Sequence, residues 1–425
     1  MNVRRFDWGG AAATAAAIRD WAAGTEPEID VTPIEREVRE DGDAALLRLT
    51  ERFDATEQAP ESPILDAEDF AGALDEIDAG LRESLELAAA NIRAVAEAQL
   101  GPPRREVELP QGQRVTVGEI WVSSAGIYAP GGRAAYPSSV LMGCIPARVA
   151  GVLGIYLATP PRPDGRIDPL VLAAAELCEV SRIYPMGGAQ AIFALAYGTE
   201  SVWPVDVIAG PGNRWVTEAK RAVYGQVGID SLAGPSELML VADRETDPEW
   251  AALDLCAQAE HGGGGLLLAV AREDAVLDGI LSATERLAAA RPSIVEAPLA
   301  LLRAPDDATT VVDLANDLAP EHLELLAKEA IARADLMRTA GCIFIGPYSA
   351  TAFGDYIAGS NHILPTGGAG RFSGPLNPNV FRRSTATVEV PPGAAAKLAP
   401  HVQALAEAEG FPVHGESAMI RTKDT

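Results

Sequence analysis

Residues 33–53, PIEREVREDGDAALLRLTERF, carry apolar side chains at helical spacing with Pro33 near the front, and they predict a helix. Residues 66–100 have the same period and predict one long amphipathic helix ended by Gly-Pro-Pro, followed by a β-like patch over 104–122. From about 126 to 240 the pattern changes. Short apolar runs (GVLGIYLAT, VSRIYPMGG, VDVIAGPGN, SELMLVAD) alternate with helical stretches such as DPLVLAAAELCEV, GAQAIFALAYG and NRWVTEAKRAVYG. Buried strands alternating with helices predict a parallel α/β sheet. A second alternation runs from about 241 to 375, with a helix over 247–261, the run GGLLLAVA and the strand GCIFIG at 341–346. The tail predicts a short helix interrupted at Pro400. The turns PMGGAQ and AGPGN fall where strands end and helices begin, which is where open α/β sheets bind ligands. No clean internal repeat is visible, although two α/β units of similar style fit the pattern.

At 425 residues the chain is too long for one ordinary core, so two or more domains are expected. Apolar content of 48% and charged content of 22% describe a globular protein. A net charge of −26 disfavours nucleic acid and anionic membrane surfaces, and suits a soluble enzyme with a cationic small substrate. Cys144, Cys178, Cys256 and Cys342 lie far apart, as expected of free thiols in a reducing compartment. No convincing secretory signal is present, and the best membrane-span candidate contains Pro146 and Arg148. A cytoplasmic location is the expectation.

Familiar catalytic signatures are absent: GxGxxG, P-loop, HExxH, EF-hand loop and GxSxG. What remains is a scatter of polar residues. Gln258 and His261, in CAQAEHGGGG, are i and i+3 on one predicted helix and so share a face. An imidazole with an amide oxygen can ligate a metal, and a histidine before a glycine cap is equally at home at a helix end. Glu321 and His322 in APEHLEL make a carboxylate–imidazole pair suited to acid–base work, or a solvated helix start. Asp355, Asn361 and His362 in GDYIAGSNH can bind metal or cap a turn. Glu409 and His414 lie near the C-terminus, and His401 reads as solvent-facing. GPGNRWV and GPSE are tight turns whose backbone N–H groups can face an anion or cofactor. From residues alone, the reading reaches an α/β enzyme with an N/O metal site, and leaves the alternatives open.

Together, GIYAPGG (126–132), YPSSVLMGCIPARVAGV (136–152), MGGAQAIFALAYGTESVWPVD (186–206), GPGNRWVTEAKRAVYGQVGIDSLAGPSE (210–237), QAEHG (258–262), APEHLEL, GDYIAGSNHILPT (354–366) and EGFPVH (409–414) resemble the histidinol dehydrogenase family, in family order across roughly 30–420. The resemblance implies oxidation of L-histidinol to L-histidine through the aldehyde in two NAD-dependent steps. It implies one zinc ion per subunit, held by Gln258, His261, Asp355 and His414. Glu321 and His322 become the acid–base pair: His322 takes the alcohol proton, and Glu321 activates the water that attacks the aldehyde. Ser236 and Glu409 become substrate contacts, and Tyr128, Gln190 and Asn213 become NAD contacts. It also implies a homodimer whose C-terminal tail reaches the neighbouring subunit's site. The expected fold is two Rossmann-like α/β domains with an incomplete nucleotide-binding fold. The first would comprise 26–125 plus 236–375 and the second 126–235, flanked by helical extensions 1–25 and 376–425.

Two departures from the family pattern stand out: GGG at 263–265, where Pro-Asp is usual, and PLNPNVF after the NHILPT segment. Neither touches an implied ligand. The nearest rival is a related zinc- and NAD-dependent dehydrogenase on another polar alcohol, such as a sulfonated diol, which calls for basic residues beside the site. A non-catalytic zinc-binding dimer would not need the acid–base pair, and a zinc hydrolase would not need NAD.

Overall fold

The computed structural model describes residues 1–24, 29–54, 57–60, 62–102, 104–131, 134–262 and 264–422. Gly132 of the GIYAPGG segment and Gly263 of the GGG departure lie outside them. The apolar runs become the strands of two six-stranded sheets. In spatial order the first sheet is Asn2–Phe6, Pro298–Arg303, Leu266–Ala271, Glu237–Val241, His322–Leu325 and Cys342–Ile345, parallel throughout. The second is Leu65–Asp66, Arg182–Pro185, Gly154–Thr159, Ser124–Tyr128, Val207–Ala209 and Gly228–Ile229. It is parallel except for the Leu65–Asp66 edge. Every residue of Glu237–Val241 and Leu266–Ala271 is buried, as strands covered on both faces must be.

The two sheets share one strand order. Each starts at a central strand, adds two strands to one side, then crosses to add two on the other. The repeat that no sequence period betrays is therefore present in the topology. A three-stranded antiparallel sheet, Arg382–Glu389, Arg114–Trp121 and Arg104–Glu108, accompanies them. Among the described residues no helix is long and apolar enough to cross a membrane.

Several expectations change. Residues 66–100 are not one helix: a 3-10 turn Ala67–Phe70 and a short turn Ala73–Glu76 precede the helix Ala79–Ala98. Gly72 at φ 90° breaks the run, and the Asp78 side chain caps the new start by accepting from Gly80 and Leu81 N–H. Pro400 does not interrupt the tail, because the helix Pro392–Ala408 runs through it with the freed Ala396 carbonyl on an exposed residue.

The expected grouping of 26–125 with 236–375 does not follow the packing. Ile34, Val38, Leu46 and Leu49 of the helix Thr32–Phe53 share a core with Tyr184, Phe193 and Leu195 of the second unit. Ile92 of Ala79–Ala98 joins Ile127, Ile155 and Ile183 there. Residues 1–25 are no appendage either: Asn2–Phe6 is the edge strand of the first sheet, and Ile18 of the helix Ala11–Ala23 is buried in its core. Within 376–425, Phe381 is fully buried in the second unit's core, and only Pro392–Ala408 and Pro412–Met419 form a helical pair packed on itself.

Asp54 ends the helix Thr32–Phe53 and accepts the Gly187 N–H at 3.1 Å, tying that helix to the turn after Arg182–Pro185. Burial pushes its carboxyl up to about 6, against the lowering effect of that hydrogen bond. An unfolded aspartate titrates near about 3.9, so between about pH 4 and 6 only the folded chain keeps this proton. Stability drawn from that proton is lost as pH rises through the window. Asp54→Asn keeps an acceptor for Gly187 and carries no charge. It is expected to raise the melting temperature at pH 8 and leave it unchanged near pH 4; an equal shift at both pH values in thermal unfolding would contradict burial as the cause.

Candidate active site

A cleft of about 1050 Å³ opens where the two sheets meet. It takes the C-terminal ends of the second sheet's strands, at Tyr128 and Thr159, and the N-terminal ends of the first sheet's strands, around Ser236 and His322. Loops at strand ends carry chemistry while the sheets hold them still.

The wall from the second sheet carries Tyr128, Gln190 and Asn213. The Tyr128 hydroxyl accepts the Gly188 N–H at 3.1 Å, and burial raises its pKa. Gln190 is buried, and its Nε2 has no hydrogen-bond partner. Asn213 caps the helix Arg214–Val223, its side-chain oxygen accepting from Val216 N–H at 3.2 Å. The turn that presents it is held rigidly. Gly210 has φ 127°, and a Cβ there would lie 2.0 Å from the Tyr128 carbonyl oxygen. Buried Lys220 donates to the Gly210 carbonyl at 2.5 Å and to Asp230 Oδ1 at 2.6 Å, while Asp230 Oδ2 accepts the Gly210 N–H at 2.8 Å.

The opposite wall carries Ser236, Gln258, His261, Glu321, His322, Asp355 and His362. Gln258 lies in the last turn of the helix Pro248–Ala259, and His261 follows the Glu260 cap. Glu321 and His322 do not start a helix. The helix Ala308–Leu318 ends at Ala319, which takes the left-handed conformation at φ 48°, and His322 opens a strand. His322 Nδ1 lies 3.0 Å from the Glu237 carbonyl, 3.1 Å from Gln258 Nε2 and 3.4 Å from Glu321 Oε2. Its Nε2 is 3.6 Å from Asp355 Oδ1, and His261 Nε2 is 3.9 Å from Asp355 Oδ2.

Asp355 therefore sits between two imidazoles. Burial opposes its ionisation, but His261 and His322 outweigh it and hold the carboxyl well below the usual range. Burial likewise opposes charge on His322, yet Glu321 and Asp355 hold its pKa well above the ordinary histidine value. Asp355 raises His261, and burial raises Glu321. His362 backs Asp355. Burial lowers its pKa, its Nδ1 donates to the Asp355 carbonyl at 2.8 Å, and its Nε2 pairs with the Ser139 hydroxyl at 3.2 Å.

This wall can exchange protons through a buried carboxylate–imidazole pair and can offer N/O ligands. For a metal, the fit is partial within one chain. Gln258 Oε1 is buried without a partner, and Asp355 and His261 stand beside it on the cleft. Those are three of zinc's customary four donors. Among the described residues no group of three or more His, Cys, Asp or Glu is arranged to hold a metal. The fourth implied ligand, His414, is exposed on Pro412–Met419, as is Glu409 at the end of the preceding helix, and neither lines the cleft.

Sequence reasoning missed two groups. Glu237 follows Ser236, and its backbone touches both members of the acid–base pair; its side chain meets Arg19, from the segment read as an extension. Glu324 stands on the same strand face as His322, 1% exposed, with the Asp254 carboxyl as its neighbour. Burial, aided by the nearby Asp254 carboxylate, pushes it up to about 10, so it stays protonated. Asp254 lies one turn before Gln258, and no local pattern marks the pair.

The histidinol dehydrogenase family model matches residues 20–422. The chain is 44% identical over 407 residues to the histidinol dehydrogenase of Nitrosomonas europaea, covering 93% of each. It is 46% identical over 399 residues to that of Parasynechococcus marenigrum, covering 92% of this chain and 90% of the relative. The crystal structure of histidinol dehydrogenase from Elizabethkingia anophelis matches 100% of this chain and 98% of its own, with a TM-score of 0.89 at 28% identity. A shared fold over the full length, with sequence identity well above 40% to curated relatives, makes this chain an oxidoreductase belonging to the histidinol dehydrogenase family.

Proposed function

We propose that the protein oxidises L-histidinol to L-histidine through L-histidinaldehyde, in two successive hydride transfers to NAD, as the last steps of histidine biosynthesis. One observation carries the reading. The buried Glu321–His322 pair faces a cleft whose other wall offers Tyr128, the unpartnered Gln190 amide and Asn213. Tyr128, Gln190 and Asn213 would hold NAD, which would supply the hydride acceptor for each oxidation. Gln258, His261 and Asp355, with His414, would hold zinc, which would supply a Lewis acid for the amine and imidazole of the substrate.

The rest is done by the chain's own side chains. Once Asp355 is engaged as a ligand and no longer holds the imidazolium, His322 Nε2, the ring nitrogen opposite the one that faces the Glu237 carbonyl, takes the hydroxyl proton as the alcohol becomes the aldehyde. Glu321 then removes a proton from the water as its oxygen adds to the aldehyde carbon, while the protonated His322 returns its proton to the carbonyl oxygen, giving the neutral hydrate. His322, neutral again, takes a hydroxyl proton from that hydrate as the second hydride leaves, and the carboxylic acid formed releases its remaining proton to solvent to give the carboxylate. Ser236 lies on the cleft wall beside this pair and contacts substrate. Glu409, pairing with the substrate ammonium, and His414 come from a second copy of the chain, since neither reaches the cleft of its own. The active form is thus a homodimer with tails exchanged, working in the cytoplasm. Among the described residues the arginines that line the cleft, Arg162 and Arg214, are on the nucleotide side, and none lines it beside Glu321, where a sulfonated alcohol would call for one.

Purified protein with NAD and L-histidinol is expected to form two NADH per histidinol at 340 nm, a signal lost with a chelator and restored by zinc. Absence of turnover in zinc-replete protein would refute the substrate. Glu321→Gln is expected to slow aldehyde oxidation at least about tenfold more than alcohol oxidation, since general-base help is worth roughly 10²–10⁴-fold; equal slowing, measured with each substrate, would end the division of labour. Mixing His261→Ala with His414→Ala, each inactive, is expected to restore roughly a quarter of parental activity, because each mixed dimer contains one site with all its ligands. No recovery after subunit exchange would place His414 in its own chain's site.

A further inference from the structure

Arg19 stands on the helix Ala11–Ala23, far in sequence from every residue of the acid–base pair, yet its guanidinium is spent entirely on their surroundings. Nη1 donates to Glu237 Oε1 at 2.7 Å and Nη2 to Glu237 Oε2 at 3.2 Å, a two-pronged pair. Nε donates to the Leu318 carbonyl at 3.0 Å, and Nη2 to the carbonyls of Leu318 and Ala319, the latter at 3.3 Å. Leu318 and Ala319 are the residues where the helix stops and the chain turns through a left-handed alanine into Glu321. A non-glycine residue is disfavoured in that conformation and persists there only when its surroundings hold it.

Glu237 completes the connection. Its side chain, 7% exposed, also accepts from Glu321 N–H at 3.3 Å and Gly367 N–H at 3.1 Å. Its own N–H donates to Glu321 Oε2 at 2.8 Å, and its carbonyl faces His322 Nδ1 at 3.0 Å. One residue thus contacts the side chains of both Glu321 and His322, and one arginine neutralises it.

We propose that Arg19 and Glu237 are positioning residues: a charged clamp, delivered by the N-terminal helix, that fixes the Glu321 carboxylate and the His322 ring in their working orientation. The clamp touches no substrate. Its removal leaves a buried carboxylate at Glu237 uncompensated next to Glu321 and frees the strained turn. The inference rests on Glu321 and His322 being the acid–base pair, so its test includes a readout that needs no turnover.

Arg19→Ala is expected to lose about 10²-fold in kcat, the scale of a misplacement near 1 Å, with KM for histidinol changed by less than about threefold. Guanidinium ion in solution is expected to recover at least about tenfold of that loss, and to do nothing for Glu237→Gln. The same variants are labelled at their five histidines, with the His322 ring signal assigned through His322→Gln. In the parent the Nδ1 proton is expected to sit on the Glu237 carbonyl and exchange slowly, and in both variants it is expected to exchange freely. A folded Arg19→Ala with kcat within about twofold of the parent, or a protected ring proton in it, would overturn the clamp. If Arg19→Ala does not fold, Arg19→Lys decides. An ammonium cannot span both Glu237 and the two carbonyls, so full activity and a protected proton in that variant overturn the proposal. If the parent itself does not oxidise histidinol, the substrate assignment fails and the ring proton alone judges the clamp.

Discussion

The burial of carboxylates in one wall governs this structure. Glu237, Glu321, Glu324 and Asp355 are each under a tenth exposed, in a chain of net charge −26. A buried carboxylate without donors or a counter-charge costs several kcal/mol, so each needs a specific answer. Glu237 has Arg19 and two backbone N–H groups. Glu321 has the Glu237 N–H and the His322 ring. Asp355 has two imidazoles, and Glu324 keeps its proton. Those answers tie together the N-terminal helix, the central strand of the first sheet, the strand after the left-handed Ala319 and the helix bearing Gln258. What reads as an active site is also the most constrained packing problem in the first unit.

The two sheets have one strand order, but the cleft uses opposite ends of them. The second sheet contributes the carboxyl ends of its strands, the usual place for a nucleotide in an open α/β sheet. The first contributes the amino ends, where Glu237 and His322 begin their strands. Facing unlike ends across a cleft brings a nucleotide-type wall against a polar wall. It also explains why no glycine fingerprint is needed. The Asn213 turn on that wall is fixed instead by Gly210, pressed against the Tyr128 backbone and held by Lys220 and Asp230.

The strands were readable in the sequence because parallel strands covered on both faces must be apolar throughout, and runs such as LLLAVA have few other uses. Gln258 with His261 was readable as a pair because one helix end presents both. The long period over 66–100 misled because a helical rhythm survives across a break when Gly72 and Asp78 change direction without changing the apolar face. Glu321 with His322 was ambiguous because Pro320 is equally at home before a helix or a strand, and the left-handed Ala319 that decides it has no side-chain signature. Arg19 was invisible for a different reason. Its partners Glu237, Leu318 and Ala319 lie more than 200 residues away, and nothing in a local pattern separates it from a solvated arginine. The domain grouping failed likewise, since an amphipathic helix such as Thr32–Phe53 shows that it has a buried face without showing which sheet covers it.

The tail poses the remaining physical question, and its exposure answers it. Pro392–Ala408 and Pro412–Met419 pack on each other and leave Leu405, Phe411, Val413 and Ile420 open to solvent. Trp250, Tyr348, Phe353 and Tyr356, on segments flanking Gln258 and Asp355, are also exposed, with Trp250 and Tyr348 already in ring contact at 5.7 Å. Apolar groups gathered in this way favour burial against another surface. The cleft, meanwhile, presents three ligand-type side chains, Gln258 with its unpartnered amide oxygen among them, and a four-donor zinc site would need one more. The tail exchange proposed above would satisfy both requirements with one contact: it would cover the exposed side chains and would carry His414 and Glu409 to a site their own chain does not bring them to. On this reading assembly and catalysis are linked through the ligand set, because a lone chain retains the acid–base pair yet lacks the group that completes the site.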